Sequence, residues 1–439
     1  MRPITRRGLL WGSLYLLLAL LPLGIALLSV PEEPRGLLGA IGVMFGLLAL
    51  GVFGMQVVIS GRHRWFAESI GFDNILQFHR QTGLVALWLV LLHPLLIFAA
   101  DPGYLEFLDP REDTLRALAL IGLLGASVVL IVSSLWRVQL GLSYEWWRLL
   151  HGGLALFVVM GGLGHALMAG HYTAGWLTAG LLIAALLVPV YLLADTRLLR
   201  LWRLRKQPWQ VVDNQPALGD ATTLTLEAVG EHRLNFNAGQ FFWITLGDSP
   251  FSLQQHPFSL VSSACRPGRI SFTAKDLGDF TATLPEITPG TRAFIEGPYG
   301  AFIPDVRSAS GAVLMAGGIG VTPIMSILRT FRDQGVTLPL WLIYANPSWD
   351  EVTYRDELAE LEAELPLKVI HVLSDPPAGW QGETGYIDKA LLERCLPEDD
   401  DQREYFICGP EPMMNAAEGG LIELGVPVTR IISDRFAIV

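Results

Sequence analysis

Charge and cysteine are both scarce in this 439-residue chain: 17% of its residues are charged and three are cysteine. So little charge, beside 51% hydrophobic residues and a mean hydropathy of +0.42, excludes a disordered polyelectrolyte and a fully water-soluble protein. Cys265, Cys395 and Cys408 are too few for a disulfide framework and fit a reducing compartment. A basic excess is missing as well, since 31 Lys and Arg against 42 Asp and Glu leave −11. The deficit is unevenly spread. Residues 1–206 hold 16 basic and 11 acidic side chains, whereas residues 207–439 hold 15 and 31, which argues against nucleic acid as a partner of the acidic half.

Apolar sequence is abundant. A transmembrane helix needs about 20 apolar residues to cross a hydrocarbon core of roughly 30 Å. Six stretches qualify, at 8–30, 36–60, 77–99, 114–136, 148–169 and 174–194, with breaks such as Pro31-Glu32-Glu33-Pro34 between them. The first lacks a convincing signal-peptide cleavage site and is read as a span. One set of ends gathers Arg2, Arg6, Arg7, Arg62, Arg64, Arg80, Arg137, Arg148, Arg197, Arg200, Arg203, Arg205 and Lys206, the other only Arg35, Arg111 and Arg116. Because cytoplasmic loops retain positive charge, both termini are expected inside, in a multi-pass protein of the cell (plasma or inner) membrane.

Ionisable residues at membrane depth are costly and usually functional. His79 and His93 lie on the third stretch, His151 and His165 on the fifth, each pair 14 residues apart. Fourteen residues at about 100° each fall about 40° short of four turns, so both histidines of a pair share a face roughly 21 Å apart along the axis. The two stretches are separated by one crossing and run parallel. His79 is therefore expected level with His151, and His93 with His165. Two facing imidazoles without a nearby carboxylate or thiol suit a six-coordinate haem iron better than zinc or a di-iron centre. Gly83, Gly152, Gly153, Gly161, Gly162 and Gly164 would let a flat macrocycle approach. The plainer reading is four polar side chains linking helices, with glycines for close packing.

From Trp209 to about Pro304, short alternating runs such as Thr223-Leu224-Thr225-Leu226 read as an antiparallel barrel. From Gly311, strands at 312–316, 340–345, 368–373 and 405–408 alternate with helices, which implies a parallel sheet. The turn Gly317-Gly318-Ile319-Gly320-Val321-Thr322-Pro323 follows a strand and opens a helix, with Thr322 read as N-cap and Pro323 as first helical residue. Glycines and a helix N-terminus suit a pyrophosphate, although the spacing departs from the dinucleotide fingerprint and an ordinary strand-to-helix turn is the competitor.

The paired histidines, then His256-Pro257-Phe258-Ser259, Glu296-Gly297-Pro298-Tyr299-Gly300, Gly317 to Pro323, Cys408-Gly409-Pro410 and Phe436, together resemble the NADPH oxidase and ferric reductase superfamily over nearly the whole chain. The resemblance implies a membrane α-helical bundle of six transmembrane helices with two b-type haems (1–206), an antiparallel β-barrel FAD domain (207–305) and an α/β parallel-sheet NAD(P)H domain (306–439). It implies that His256 lies toward the FAD phosphates, Pro257 beside it, Phe258 against the isoalloxazine, and the Ser259 hydroxyl near the reactive ring nitrogen. Lys275, Gly278 and Thr281 match the second flavin motif, where a helix start receives the pyrophosphate. Gly317, Gly318, Gly320, Thr322, Pro323, Cys408, Gly409 and Pro410 would hold NAD(P)H, with Cys408 at the nicotinamide. Phe436 would cover the flavin, although three residues follow it, and Ser259 stands where the oxidases commonly have threonine.

The implied activity is an NAD(P)H oxidase or ferric-chelate reductase. Electrons would pass from NADPH or NADH to FAD, to the haem at His79 and His151, to the haem at His93 and His165, and then to oxygen or a ferric chelate outside. No protein nucleophile or general base is needed, and no obligatory protein subunit is expected. A relay reducing a quinone or a protein partner is the enzymatic alternative; a transporter with a nucleotide-sensing domain is the non-enzymatic one. The stretch Asn346-Pro347-Ser348-Trp349-Asp350-Glu351 carries two carboxylates, with only Arg355 nearby, so NADH is expected to serve at least as well as NADPH.

Overall fold

The computed structural model describes residues 3–29, 35–64, 71–304, 309–397 and 402–435. Phe436 lies outside them. The chain divides into two compact units, one holding residues 3–66 and 74–200, the other essentially residues 201–439.

In the first unit, five helices among the described residues are long and apolar enough to cross a membrane. The preceding apolar stretch forms α1 (Pro3–Ala19) and α2 (Leu21–Ala26) instead of one continuous span. Pro22 at the start of α2 brings no N–H to the backbone ladder, which accounts for a break at Leu20. The long helices are α3 (Leu37–Ile59), α4 (Phe72–Ala100), α5 (Thr114–Leu135), α6 (Tyr144–Ala169) and α7 (Trp176–Ala194), the last running on through a π-helical turn into Arg200–Leu204. Their ends are capped where the sequence supplies a cap. Asp113 accepts from the Arg116 N–H at 3.0 Å, and Gly170 closes α6 with φ 67°. Ala49, Leu50, Phe53 and Val57 of α3 pack against Val158, Val159 and Leu163 of α6 and Leu182 and Leu186 of α7. Trp88, Leu118 and Val188 are left exposed, an apolar exterior suited to lipid.

The second unit carries two six-stranded sheets. The first is antiparallel: β1 (Trp209–Ala217), β2 (Ala221–Ala228), β3 (Phe241–Leu246), β4 (His256–Ser259), β5 (Arg269–Lys275) and β6 (Arg292–Tyr299), in the order β4-β3-β6-β1-β2-β5. Alternation is visible in β2, where Leu224 and Leu226 are fully buried around Thr225. Past β4 the chain turns back to the opposite edge, and the Val261 N–H donates to the Ser271 carbonyl of β5 at 2.9 Å. An antiparallel six-stranded sheet stands where an antiparallel barrel was expected.

The second sheet is parallel: β7 (Ala312–Gly317), β8 (Leu340–Asn346), β9 (Leu367–Leu373), β10 (Glu383–Thr384), β11 (Glu404–Cys408) and β12 (Ile431–Asp434), in the order β10-β9-β8-β7-β11-β12. Every residue of β7 is buried, as a strand covered on both faces requires. Helix α8 (Val321–Gln334) follows β7, and its flank holds the first sheet's loop. Ser326 Oγ donates to the Ser262 carbonyl at 2.9 Å, Arg329 Nη1 to that of Val261 at 2.8 Å, and Thr330 Oγ1 accepts from the Ala264 N–H at 2.9 Å. Arg329 also makes a two-pronged ion pair with Glu357 at 2.7 and 2.6 Å.

Candidate functional site

The four histidines come together as the 14-residue spacing requires. Ring centroids of His79 and His151 are 6.1 Å apart, and those of His93 and His165 are also 6.1 Å apart. The earlier histidine of one helix faces the earlier one of the other, and the later ones likewise face each other, so α4 and α6 run parallel and present two levels of paired imidazoles.

Hydrogen bonds fix the tautomer of one ring at each level. His93 Nδ1 lies 2.8 Å from the Gly42 carbonyl oxygen. A carbonyl only accepts, so Nδ1 carries the proton and Nε2 keeps its lone pair. Gly46 makes this approach possible, since a Cβ there would stand 2.8 Å from His93 Nδ1. His151 Nδ1 meets Ser134 Oγ at 3.0 Å, and that hydroxyl lies 2.6 Å from the Leu130 carbonyl. With its proton committed to Leu130, Ser134 accepts from His151, which again leaves Nε2 as the basic nitrogen. His79 Nδ1 is buried with no hydrogen-bond partner among the described residues. Gln56 Nε2 of α3 donates to the His79 carbonyl at 3.0 Å and to Thr82 Oγ1 at 2.8 Å.

These pairs fit haem. Among the described residues no three His, Cys, Asp or Glu side chains gather as a metal site, so an ion between two imidazoles would draw its other donors from a ligand. Two metal–imidazole bonds of about 2.0–2.1 Å to one ion, plus the depth of both rings, would span up to about 6 Å between the centroids. A Cβ at Gly152, Gly153 or Gly164 would meet nothing within 4 Å, which leaves room for a flat ligand along α6. The other three expected glycines serve helix packing instead. A Cβ at Gly161 or Gly162 would meet Leu123 or Leu50 at 3.1 Å, and one at Gly83 would meet Gln56 at 3.5 Å.

His256, Pro257, Phe258 and Ser259 form the edge strand β4, paired only with β3, a position that accepts a proline. His256 stacks on Phe280 with centroids 3.7 Å apart, and Phe258 stacks on Phe272 at 4.6 Å. Ser259 Oγ is buried and has no hydrogen-bond partner among the described residues. Lys275, at the end of β5, pairs with Glu351 at 3.0 Å. Thr281 Oγ1 accepts from the N–H groups of Leu277 and Gly278 at 2.9 and 3.0 Å, and so braces its own four-residue helix, Asp279–Ala282. At Gly278 the space a Cβ would take is open.

The glycine turn meets Cys408-Gly409-Pro410 where β7 and β11 end side by side, with Ala316 opposite Cys408. The sheet order reverses direction between these strands, and open α/β sheets bind ligands outside such a point. Close backbone approach requires glycine here. A Cβ at Gly320 would overlap the Cys408 carbonyl oxygen, and one at Gly317 would meet Met413 Sδ at 2.5 Å and Pro410 Cδ at 2.8 Å. One local expectation is corrected. α8 starts at Val321 with Gly320 as N-cap, so Thr322 and Pro323 are its second and third residues. A 3₁₀ turn over Gly318–Gly320 advances the helix start, and Thr322 Oγ1 donates to the Ile319 carbonyl at 2.9 Å instead of capping an N–H. Beyond β8, Arg355 lies against Trp349 and within 3.7 Å of Asp350 and 3.6 Å of Asp356. His371 packs on Trp349 at 5.1 Å, and burial pushes its pKa down, which keeps it neutral as a structural residue.

Comparison with known proteins decides the architecture. Residues 45–162 match the ferric reductase like transmembrane component, residues 214–302 an FAD-binding domain, and residues 314–419 an oxidoreductase NAD-binding domain. The chain has the architecture of the NADPH oxidase and ferric reductase superfamily. Its ferric reductase segment takes in all of His79, His93 and His151, and ends three residues before His165. NADH-cytochrome b5 reductase 1 of Cryptococcus neoformans var. neoformans is 32% identical over 166 residues, 36% of this chain and 56% of that protein. NADH-cytochrome b5 reductase 1 of Lodderomyces elongisporus is 32% identical over 197 residues, 43% and 59% of the two chains. The chain thus spans little more than half the length of these relatives. Among solved structures, a flavohemoglobin from Malassezia yamatoensis is 20% identical with a TM-score of 0.48, over 77% of this chain and 91% of that one.

Sequence reasoning missed Gln56, Ser134 and Gly46. The first two carried a signal, as rare polar side chains within apolar stretches. Gly46 carried none, because its role depends on where the His93 ring arrives.

Proposed function

We propose that the protein is a transmembrane NAD(P)H oxidoreductase delivering electrons from a cytoplasmic nucleotide to oxygen, with superoxide as product, or to a ferric chelate at the outer face. The observation that supports it most is the pair of equal 6.1 Å imidazole levels in one chain with FAD- and NAD-binding domains. When bound, FAD would turn a two-electron hydride transfer into single-electron steps, and two b-type haems would carry those steps across the membrane. His79 and His151 would hold the inner haem, His93 and His165 the outer one. In this reading α1 and α2 together make the sixth crossing, and the arginine-rich ends face the cytoplasm. The membrane domain ends near residue 206 and the flavin domain near 305.

The remaining residues bind and orient. Gly317, Gly318 and Gly320 let backbone N–H groups reach the nucleotide pyrophosphate, with Thr322 and Pro323 shaping the first turn of α8. Cys408, Gly409 and Pro410 border the nicotinamide. His256, Pro257, Phe258 and Ser259 line the flavin, and the Ser259 hydroxyl, without a partner among the described residues, is available to its ring. Lys275, Gly278 and Thr281 support its phosphates.

Arg355 is committed to Asp350, Asp356 and Trp349, so a 2′-phosphate gains little there. NADH should therefore be used at least as well as NADPH. Asp350→Arg should shift the ratio of kcat/KM toward NADPH by about 10-fold or more, since one hydrogen bond to a charged group contributes about 1.5–3 kcal/mol. Steady-state kinetics with both nucleotides checks this. The proposed function itself is tested by reducing the purified protein with NADH and mixing it with oxygenated buffer or ferric citrate. Reoxidation of the haem bands by either acceptor is expected. Bands that stay reduced in both would reject these acceptors.

A further inference from the structure

A metal-bound imidazole is oriented, and its basicity set, by whatever its second nitrogen bonds to. At one level that partner is the Gly42 carbonyl, which no side-chain substitution removes. At the other it is a side chain, Ser134 of α5. The Ser134 hydroxyl is placed by its own helix, donating 2.6 Å back to Leu130, and receives the His151 Nδ1 proton at 3.0 Å. Its neighbour Ser133 also donates to Leu130, at 3.2 Å, and makes no hydrogen bond to a histidine among the described residues. The geometry points to Ser134 as a positioning residue for His151: it holds the Nδ1–H tautomer, turns Nε2 toward His79, and makes the ring a stronger electron donor to the metal at this level. This rests on the haem reading above. A serine that merely ties α5 to α6 would affect folding and leave the electronic properties of the site alone.

The test compares Ser134→Thr with Ser134→Val in the full-length protein in detergent or nanodiscs. The two side chains share a shape and differ in the hydroxyl acceptor. Haem content and redox-titrated visible spectra are read for each, with Ser133→Ala as the neighbouring control. Ser134→Thr should keep two haems and both wild-type reduction steps. Ser134→Val should move one step to a more positive potential, because a less electron-rich imidazole favours ferrous iron, or should lose that one haem; the other step should not move. Ser133→Ala should leave both steps unchanged. If the threonine and valine proteins titrate alike, or lose the same haem alike, Ser134 does not act on the site. A wild-type protein with no haem spectrum would overturn the haem reading itself, and that outcome is visible before any variant is made.

Discussion

His165→Ala is expected to remove one of two haems, leave the other reducible by NADH, and lower electron delivery to an external acceptor by more than about 100-fold. The magnitude follows from the role of a direct ligand: losing even an outer-shell partner of a metal site costs about 10–100-fold. The asymmetry follows from the two levels. His79 and His151 make no use of His165, so the inner pair should persist. His79→Ala should instead block reduction of both levels, because in the proposed order electrons reach the second haem only through the one held by His79 and His151. If the histidines only packed between helices, neither variant would change haem content or haem spectrum. Haem content by pyridine haemochrome and NADH-driven reduction of each variant separate these accounts.

Gly320→Val should disable the nucleotide site while leaving the flavin in place. Its Cβ would overlap the Cys408 carbonyl oxygen and stand 2.9 Å from the Gly409 Cα, and both are backbone atoms that cannot rotate away. Overpacking of this kind costs about 1–3 kcal/mol, and the strain falls on the crevice between β7 and β11. NAD(P)H binding should weaken at least about 10-fold, at about 1.4 kcal/mol per decade, with FAD content close to wild type. Gly419→Ala is the matching control. That glycine lies within the helix Glu411–Glu423 with nothing near its Cβ, so alanine should stabilise by about 0.5–1 kcal/mol. Flavin reduction by NADH and thermal unfolding of both variants check the pair.

Much of this was legible in the sequence because it depends on period. The 14-residue histidine spacing needs only helical geometry to place two levels, and the four expected strands of the parallel sheet lie within about a residue of their expected bounds, while β10 and β12 were not expected. What period cannot report is the local competition for a hydrogen bond or a volume. The apolar stretch at 8–30 has a span's length, yet Pro22 interrupts its ladder. Thr322 has a capping side chain, but the 3₁₀ turn ahead of it makes Gly320 the cap and leaves its hydroxyl bonded backward. Ser134 and Gln56 drew no reading from the sequence, because their partners lie on other helices. Lys275 matches the second flavin motif, and its ion pair with Glu351 of the parallel-sheet half is a contact that no local pattern announces.

Anaerobic mixing of the purified full-length protein with NADH, with haem and FAD quantified in the same sample, tests the central claim most directly. Two b-type haems per FAD are expected, with the flavin absorbance bleaching first and both haems then reduced in full. A flavin that bleaches in a protein carrying no haem, or one haem, or haems that stay oxidised, would contradict the account.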